Sequence, residues 1–210
     1  MTGFLTVYRC TNARCGLRFP AWEADAPPRC PRCGAPLDAH RVGPAPRRET
    51  WTRSAPAARP GRGLVLENLR SAWNVGALLR VADAAGYARA FLVGITPTPR
   101  QAQVAKTALG AQHTVAWSWH PNGVALLRTL RDLGWTLWAL ETGPQAADLP
   151  VGQPPPPEPW AWVLGNEVTG LDPEVLALCQ RVWRVPMRGS KRSLNVATAL
   201  AAAAYRVADA

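Results

Sequence analysis

The sequence predicts an α/β domain with a parallel sheet covered by helices on both faces, preceded by a small module that carries cysteines. Over residues 63–210, short apolar segments alternate with segments of helical periodicity. Strands that alternate with helices in this way form parallel sheets, because each helix returns the chain to the same edge. Four cysteines stand as two close pairs within residues 1–39. Residues 40–62 are rich in Pro and Arg and nearly free of aliphatic residues, which predicts a linker.

The alternation can be followed element by element. Apolar segments of strand length are found at residues 64–66, 91–93, 114–119, 135–140, 160–164 and 182–185. Apolar residues at helical spacing predict helices at about residues 74–86, 101–109, 126–134, 173–179 and from 194 onward. Asn74 and Ser193 stand at the start of two of these helices, where a side-chain oxygen can cap free backbone N–H groups.

The charge of the chain favours a nucleic-acid partner. The 210 residues carry a formal net charge of +10, and the excess is uneven: residues 1–62 hold eleven arginines and four acidic residues, whereas residues 63–210 hold thirteen basic and ten acidic residues. Arginine pairs with phosphate through two parallel hydrogen bonds and releases condensed counterions. The alternative is that arginine is merely abundant in this chain, and charge alone does not distinguish RNA from DNA.

The sequence shows no pattern of a membrane or secreted protein. Its start has neither a basic leader nor a long apolar stretch. The longest apolar run, residues 194–205, is shorter than the roughly 20 residues that span a bilayer. We therefore expect a soluble cytoplasmic protein.

The two cysteine pairs predict that residues 1–39 form a small zinc ribbon. Four residues separate Cys10 from Cys15, two separate Cys30 from Cys33, and 14 lie between the pairs. Two short turns of this kind present four thiolates to one tetrahedral Zn²⁺. Two disulfides are the alternative, but the expected cytosolic location and a module too small to build a core unaided favour the metal. A zinc ion with four sulfur ligands has no open position, so its role would be structural.

The cysteine module also has the composition of a surface that contacts RNA. It carries arginines at positions 9, 14, 18, 29 and 32, with Phe19 and Trp22 between the cysteine pairs. Cations and aromatic rings together suit phosphates and bases. A module that only stabilises the fold is equally compatible with these residues.

Three segments of the second domain place polar residues at the ends of predicted strands. They are residues 67–80 (ENLRSAWNVGALLR), 163–171 (VLGNEVTGL) and 185–197 (VPMRGSKRSLNVA). Open parallel sheets bind their ligands at the carboxyl ends of the strands. We therefore expect these three segments to meet at one ligand site.

In order, these segments resemble the three motifs of the SpoU/TrmH branch of the SPOUT methyltransferases, and residues 106–111 (KTALGA) resemble the family's segment between the first two. The resemblance covers about residues 63–207. It implies an α/β fold with a deep C-terminal trefoil knot, S-adenosylmethionine as cofactor, and a homodimer. It also implies methyl transfer to a ribose 2′-OH of tRNA or rRNA. Methylation of a base on the same fold, or a non-catalytic RNA-binding role in ribosome assembly, are the alternatives.

The resemblance assigns site residues position by position. It implies catalytic roles for Asn74, Arg80, Glu167, Ser193 and Asn195. It implies that the cofactor is bound by Leu140, Glu141, Thr142, Gly143, Leu164, Gly165, Asn166, Gly170, Val185, Pro186, Met187, Ser193 and Leu194.

The chemistry of the implied catalytic residues is consistent with methyl transfer. Arginine is a poor base, so we expect Arg80 to anchor the target phosphate and stabilise the developing alkoxide. Asn74 and Asn195 would orient Arg80 and the nucleotide, Glu167 would fix a loop or pair with a cation, and Ser193 would hydrogen-bond the acceptor ribose or its phosphate. Each also has an ordinary structural interpretation, as a helix cap, a surface arginine or a brace for a turn.

Overall fold

The computed structural model describes residues 4–44 and 59–207. The chain divides into two compact units, with the boundary between Ala55 and Pro56. The segment predicted as a linker, residues 40–62, is shorter than expected, since both of its ends belong to strands. Residues 45–58 of that segment lie outside the described part of the chain.

The first unit is a three-stranded antiparallel sheet. Its strands are β1 (Phe4–Cys10), β2 (Arg18–Trp22) and β3 (Leu37–Pro44), in the order β2-β1-β3. A single turn of 3₁₀ helix, Glu23–Asp25, follows β2. Among the residues of this unit whose burial is described, only Thr6, Cys10 and Cys30 are buried. A core of this size cannot hold a sheet together by apolar packing alone.

The second unit is built on a seven-stranded sheet. Its strands are β4 (Arg59–Glu67), β5 (Tyr87–Val93), β6 (Ala116–His120), β7 (Thr136–Leu140), β8 (Ala147–Asp148), β9 (Trp160–Leu164) and β10 (Arg181–Arg184). Their order is β6-β5-β4-β9-β7-β10-β8, and every neighbouring pair is parallel. The predicted parallel sheet is thereby confirmed. Of the seven strands, only the two-residue β8 was not predicted.

Four α-helices lie between these strands in the chain: α1 (Ala72–Ala84), α2 (Ala102–Ala108), α3 (Gly123–Asp132) and α4 (Pro173–Ala177). A fifth, α5 (Val196–Ala204), follows β10. Two predicted caps are wrong. Ser71, rather than Asn74, caps α1 and accepts a hydrogen bond from the Asn74 backbone N–H. Asn195, rather than Ser193, caps α5 by accepting from the backbone N–H groups of Ala197 and Thr198. The polar side chains of Asn74 and Ser193 are therefore available for other contacts.

Apolar side chains cover both faces of the sheet. Along β4, Leu64 and Leu66 belong to one buried cluster with residues of α1, α2 and α5. Val65 points to the opposite face and joins a second cluster with residues of α3 and α4. This alternation explains why the segment Leu64–Leu66 of β4 is continuously apolar, as strands buried on both faces are.

The chain order of the strands puts β9 between β4 and β7. The trefoil knot that the resemblance implies stays a prediction. Within residues 4–44 and 59–207, no helix combines the length and the apolar character that a membrane crossing requires.

Replacing Gly76 by Ala tests the close contact between α1 and α2. A Cβ at position 76 would lie 2.6 Å from the Val104 carbonyl oxygen and 1.9 Å from Oγ1 of Thr107. The Thr107 side chain can turn away, but the Val104 carbonyl belongs to the backbone of α2. Alanine gains about 1 kcal/mol in helix propensity, whereas overpacking costs about 1–3 kcal/mol. We expect Gly76→Ala to lower the free energy of unfolding in urea by about 1–2 kcal/mol.

Gly189→Ala is the matched control for this change. No atom lies within 4 Å of the Cβ position at Gly189, so its stability should stay within about 0.5 kcal/mol of the wild type. A Gly76→Ala variant as stable as the control would show that α1 and α2 can separate without penalty.

Candidate functional site

A cavity of about 400 Å³ lies at the carboxyl ends of β7, β9 and β10. The loops that follow these three strands line it, together with the start of α1 and of α5. Of the thirteen residues predicted to bind the cofactor, all but Gly143 and Pro186 line this cavity. These two residues lie in the same loops as their lining neighbours. The three polar segments of the sequence therefore meet at one site, as expected from the sheet edge that they share.

Sequence reasoning missed Arg184 as a lining residue. It is the last residue of β10, directly before the predicted residue Val185. Its Nε donates to Oδ1 of Asp148 on β8 at 2.6 Å. The signal that could have found it is its position, because a charged residue that ends a strand faces the same edge as the loop that follows.

The loop after β9 is folded tightly by two glycines. The backbone N–H of Asn166 donates to the Gly170 carbonyl at 3.2 Å, and the Gly170 N–H returns a bond to the Asn166 carbonyl at 2.9 Å. A Cβ on Gly165 would lie 2.5 Å from the Leu171 nitrogen, and Gly170 has a φ of +73°. Side chains at these two positions would force the loop open.

A continuous series of hydrogen bonds joins the three polar segments. Glu167 Oε1 accepts from Nδ2 of Asn74 at 2.8 Å, and Asn74 Oδ1 accepts from Nδ2 of Asn195 at 2.9 Å. The Glu167 carboxylate also accepts from the backbone N–H groups of Arg70 at 2.9 Å and Ser71 at 3.1 Å. We call the set of Glu167, Asn74 and Asn195 the polar relay. It connects the loop after β9 to the N-terminal ends of α1 and α5.

The environment of Glu167 favours its ionised form. Burial raises the pKa of this carboxyl, but the hydrogen bonds from the Arg70 N–H, the Asn74 amide and the Ser71 N–H outweigh burial and hold the pKa below its ordinary value of 4.5. A carboxylate that accepts several N–H bonds is stabilised in this way. Glu167 is therefore a negatively charged acceptor at neutral pH.

Two further residues tie neighbouring loops together. Glu141 Oε1 accepts from the Thr142 N–H at 2.7 Å, and its Oε2 accepts from the Leu171 N–H at 3.0 Å. Asn166 donates from Nδ2 to the Asn68 carbonyl at 2.7 Å. Both side chains are engaged with backbone groups, so they fix the shape of the cavity wall.

Arg80 is the predicted catalytic residue that the structure does not bring to the cavity. It is exposed and lines a separate groove of about 690 Å³ between α1, the end of α2 and α5. Six residues separate it from Asn74, which amounts to about 9 Å along α1 and a rotation of about 240° around it. The two side chains therefore leave the helix on different faces. The other four predicted catalytic residues line the cavity.

The first unit brings its four cysteines together. The Sγ atoms of Cys10, Cys15, Cys30 and Cys33 all lie within 4.8 Å of one another. The Cys10–Cys33 separation is 3.4 Å and the Cys15–Cys30 separation is 3.8 Å. A disulfide has an S–S distance of about 2.05 Å, whereas four sulfurs at about 2.3 Å from one zinc lie about 3.8 Å apart. The four cysteines form no disulfide in this structure, and their spacing fits a single metal ion.

The sulfur of Cys30 is prepared for ionisation. Burial raises the pKa of this thiol, but hydrogen bonds from the backbone N–H groups of Arg32 and Cys33 lower it. The lowering outweighs the effect of burial, and the resulting pKa is about 7. The thiolate, rather than the thiol, is the form that binds metals.

Comparison with known proteins identifies the second unit. The SpoU rRNA Methylase family model matches residues 62–205. A curated relative from Nitrosomonas europaea, the 23S rRNA (guanosine-2'-O-)-methyltransferase RlmB, is 36% identical over 137 residues, which are 65% of this chain and 52% of that protein. The tRNA (guanosine(18)-2'-O)-methyltransferase of Thermus thermophilus is 32% identical over 142 residues, 68% of this chain and 71% of that protein.

Solved structures give the same result. The AdoMet-bound rRNA methyltransferase from Sinorhizobium meliloti superposes with a TM-score of 0.62 at 25% identity, covering 69% of this chain and 54% of that one. The SpoU methyltransferase AviRb from Streptomyces viridochromogenes, also in complex with AdoMet, has the same fold, with a TM-score of 0.61 at 22% identity over 83% of this chain and 68% of its own.

The match spans about half of the Nitrosomonas relative, 52% of its length. The match to the family model, over residues 62–205, includes all three polar segments and every residue that lines the cavity. On this basis the chain belongs to the SpoU rRNA Methylase family.

Proposed function

We propose that this protein transfers a methyl group from S-adenosylmethionine to a ribose 2′-OH of tRNA or rRNA. The observation that carries the proposal is the polar relay of Glu167, Asn74 and Asn195, which lines a cavity formed by three strand-end loops. Membership of the SpoU rRNA Methylase family supports it. The Nitrosomonas and Thermus relatives are both guanosine 2'-O-methyltransferases, which supports the ribose as the acceptor and rRNA or tRNA as the substrate.

The residues of the cavity fit the cofactor. A volume of about 400 Å³ lies in the range of small-molecule sites, roughly 300–1,000 Å³. Apolar side chains form much of its wall: Leu140, Leu164, Val185, Met187 and Leu194. When bound, S-adenosylmethionine would supply an electrophilic methyl group on a positively charged sulfur. Glu141 and Glu167 give the wall negative charge, which suits that sulfur.

The acceptor nucleotide would be held by side chains that are not engaged in holding the loops of the cavity together. Ser193 lines the cavity and is exposed, and its hydroxyl can reach a ribose or a phosphate oxygen. Arg188, Lys191 and Arg192 are exposed in the same loop and suit phosphates. We assign to Glu167, Asn74 and Asn195 the task of positioning this loop and the start of α1. Arg80 would anchor the target phosphate and stabilise the developing alkoxide.

We propose a homodimer in which the groove beside Arg80 is part of the interface. Six alanines, at positions 77, 84, 108, 111, 197 and 201, give this groove a smooth wall on which a second copy can pack closely. The groove also holds Leu109 and Tyr205, which are each 71% exposed. An interface here would bury both side chains and enclose Arg80, which lies outside the cavity of its own chain. The proposed RNA substrate and the free cysteines favour the cytoplasm as the site of the reaction.

The enzyme assignment is tested with purified protein, calorimetry and labelled cofactor. We expect binding of S-adenosylmethionine, label transfer to tRNA or rRNA, 2′-O-methylated nucleosides by mass spectrometry, and a light-scattering mass of twice 22.7 kDa. Arg80→Ala should keep cofactor affinity and lower kcat about 100-fold, because it removes charge stabilisation of the transition state. Arg128→Ala, an exposed arginine on α3, is the control and should leave kcat unchanged.

Three outcomes would contradict the assignment. Folded protein that binds no S-adenosylmethionine would exclude the proposed reaction. A methylated base in place of a ribose would show the related base chemistry. RNA binding without any label transfer would show a protein that kept the fold but not the activity.

Glu167→Gln tests the polar relay. Ionised Glu167 stabilises the fold wherever it is charged, because its folded pKa lies below 4.5. This stabilisation is fully present above the unfolded pKa and is lost as the pH falls through the lowered folded pKa. The variant should be less stable than the wild type by about 1–2 kcal/mol at pH 7. The difference in thermal midpoint should be constant down to about pH 5 and shrink below it.

Glu174→Gln is the control for this pH profile. Glu174 is exposed at the start of α4, and no side-chain hydrogen bond of its carboxylate is found among the described residues. The difference in thermal midpoint between Glu174→Gln and the wild type should show no change with pH near the pKa of Glu167. A Glu167→Gln variant whose stability deficit does not change between pH 7 and pH 4 would show that its charge is not what holds the relay.

We propose that the four clustered cysteines bind one structural Zn²⁺. Replacing Cys30 and Cys33 by Ser should abolish the metal content measured by atomic emission, reducing it from one zinc per chain to none. It should also unfold the first unit, because metal binding supplies much of the folding energy of such small modules. The affinity for S-adenosylmethionine should be unchanged. Cys179→Ser changes a half-buried cysteine packed against an apolar cluster of the second unit. It should keep the zinc, and loss of zinc in this variant would contradict the site.

A further inference from the structure

The pairing of strands in the first unit sorts its side chains onto two faces. Residues directly opposite one another on antiparallel strands share a face, and faces alternate along each strand. Arg9 lies opposite Arg18 on β2 and opposite Asp38 on β3, while Val7 lies opposite Pro20 and His40. Trp22 follows Arg18 and Pro20 on the same face of β2. We call this set the open face: Arg9, Arg18, Pro20, Trp22, Asp38 and His40.

The opposite face is already occupied by its own contacts. Tyr8 stacks on Phe19 with 5.7 Å between ring centroids, and both rings are half-buried. Arg41 lies 4.5 Å over the Phe4 ring and pairs through Nη2 with Glu23 at 3.1 Å. The single arginine of that face is therefore neutralised by a carboxylate.

The open face has no comparable neutralisation. All six of its residues are exposed. Arg9 and Arg18 stand directly opposite each other, an arrangement that destabilises a sheet when both residues carry the same charge. Within residues 4–44 and 59–207, no ion pair joins either arginine to a carboxylate, although Asp38 stands across from Arg9. Two unpaired arginines side by side form a site that an anion would stabilise.

Trp22, the aromatic side chain on this face, indicates which kind of anion the face would bind. Trp22 is 39% exposed and lies four residues from Arg18, about 13 Å along β2. Bases that are unpaired stack on exposed aromatic rings while their phosphates contact arginines. Duplex RNA is recognised through its shape, its 2′-hydroxyls and its phosphates, and its stacked bases are not accessible to a tryptophan. Two neighbouring arginines without carboxylate partners, together with an exposed indole on the same face, therefore suit a single strand of nucleic acid.

We propose that the open face binds a single-stranded segment of RNA, with Arg9 and Arg18 contacting phosphates and Trp22 stacking on a base. The choice of RNA rests on the proposed function, whereas the choice of a single strand rests on the face itself. The first unit would then capture the substrate, separately from the loops that carry the chemistry.

The test measures binding of a fluorescent single-stranded oligoribonucleotide and of an RNA duplex of equal length to the full chain by anisotropy. Arg9→Gln with Arg18→Gln should weaken single-strand binding at least tenfold. It should also reduce the slope of log affinity against log salt by about 1.4, as expected for two lost phosphate contacts on a single strand. Trp22→Ala should weaken binding by about five- to a hundredfold, and Asp38→Asn should strengthen it.

Matched controls are available on the same chain. Arg128→Gln with Arg131→Gln removes the same charge from exposed positions on α3, and Phe4→Ala removes an aromatic ring that is 40% exposed on the opposite face. Both should change affinity less than twofold. Unchanged zinc content and thermal midpoint would show that every variant is folded.

The outcomes separate this inference from the proposed function. Equal losses in the open-face variants and their controls, or tighter binding of the duplex, would overturn the inference while leaving methyl transfer intact. Binding that depends on the open face in a protein that transfers no methyl group would support the inference and refute the enzyme assignment. Support for both would be a raised KM for RNA in the open-face variants with kcat retained.

Discussion

The hydrogen bonds between Glu167, Asn74 and Asn195 are the constraint on which the rest of the site depends. Three segments that are far apart in sequence are held together because each of these side chains forms a hydrogen bond with the next. A carboxylate only accepts, so Glu167 is suited to a position faced by three N–H donors. Asn74 donates from Nδ2 to Glu167 and accepts at Oδ1 from Asn195, and an amide does both while staying neutral. Asn195 donates to Asn74 and caps α5 with its oxygen.

The hydrogen bonds within the site determine which side chains remain available to contact the substrate. The side chains of Glu141, Asn166 and Glu167 are engaged with backbone groups of neighbouring loops. They set the distances in the cavity, and a group that holds a loop in place cannot also move toward a substrate. Ser193, by contrast, is exposed and caps no helix. The resemblance implies catalytic roles for both Glu167 and Ser193, and their contacts separate a positioning residue from one that would face the substrate.

Much of this arrangement could be predicted from the sequence because it follows from strand order and period. The carboxyl ends of parallel strands share an edge, so the three polar segments had to converge once the strands were recognised. The caps were predicted wrongly because Ser71 and Asn74, and likewise Ser193 and Asn195, are both good capping residues a few positions apart. The strands of the first unit were missed because Arg9, Pro20 and Asp38 interrupt any apolar alternation there. The separation of Arg80 from Asn74 follows from helical geometry, since six residues rotate a side chain to another face.

The distribution of charge explains why substrate capture and catalysis would be placed in different units. The ionisable residues that line the cavity are Glu141, Glu167 and Arg184, so its wall is slightly negative. A strongly basic wall would attract RNA but would repel a cofactor that carries a positive sulfur, and this repulsion is strongest where water is excluded. Residues 63–210 are only moderately basic, whereas the arginine excess lies in residues 1–62. None of the residues that line the cavity belongs to the first unit, so the arginines that would attract a polyanion are not part of the wall that would face the sulfonium.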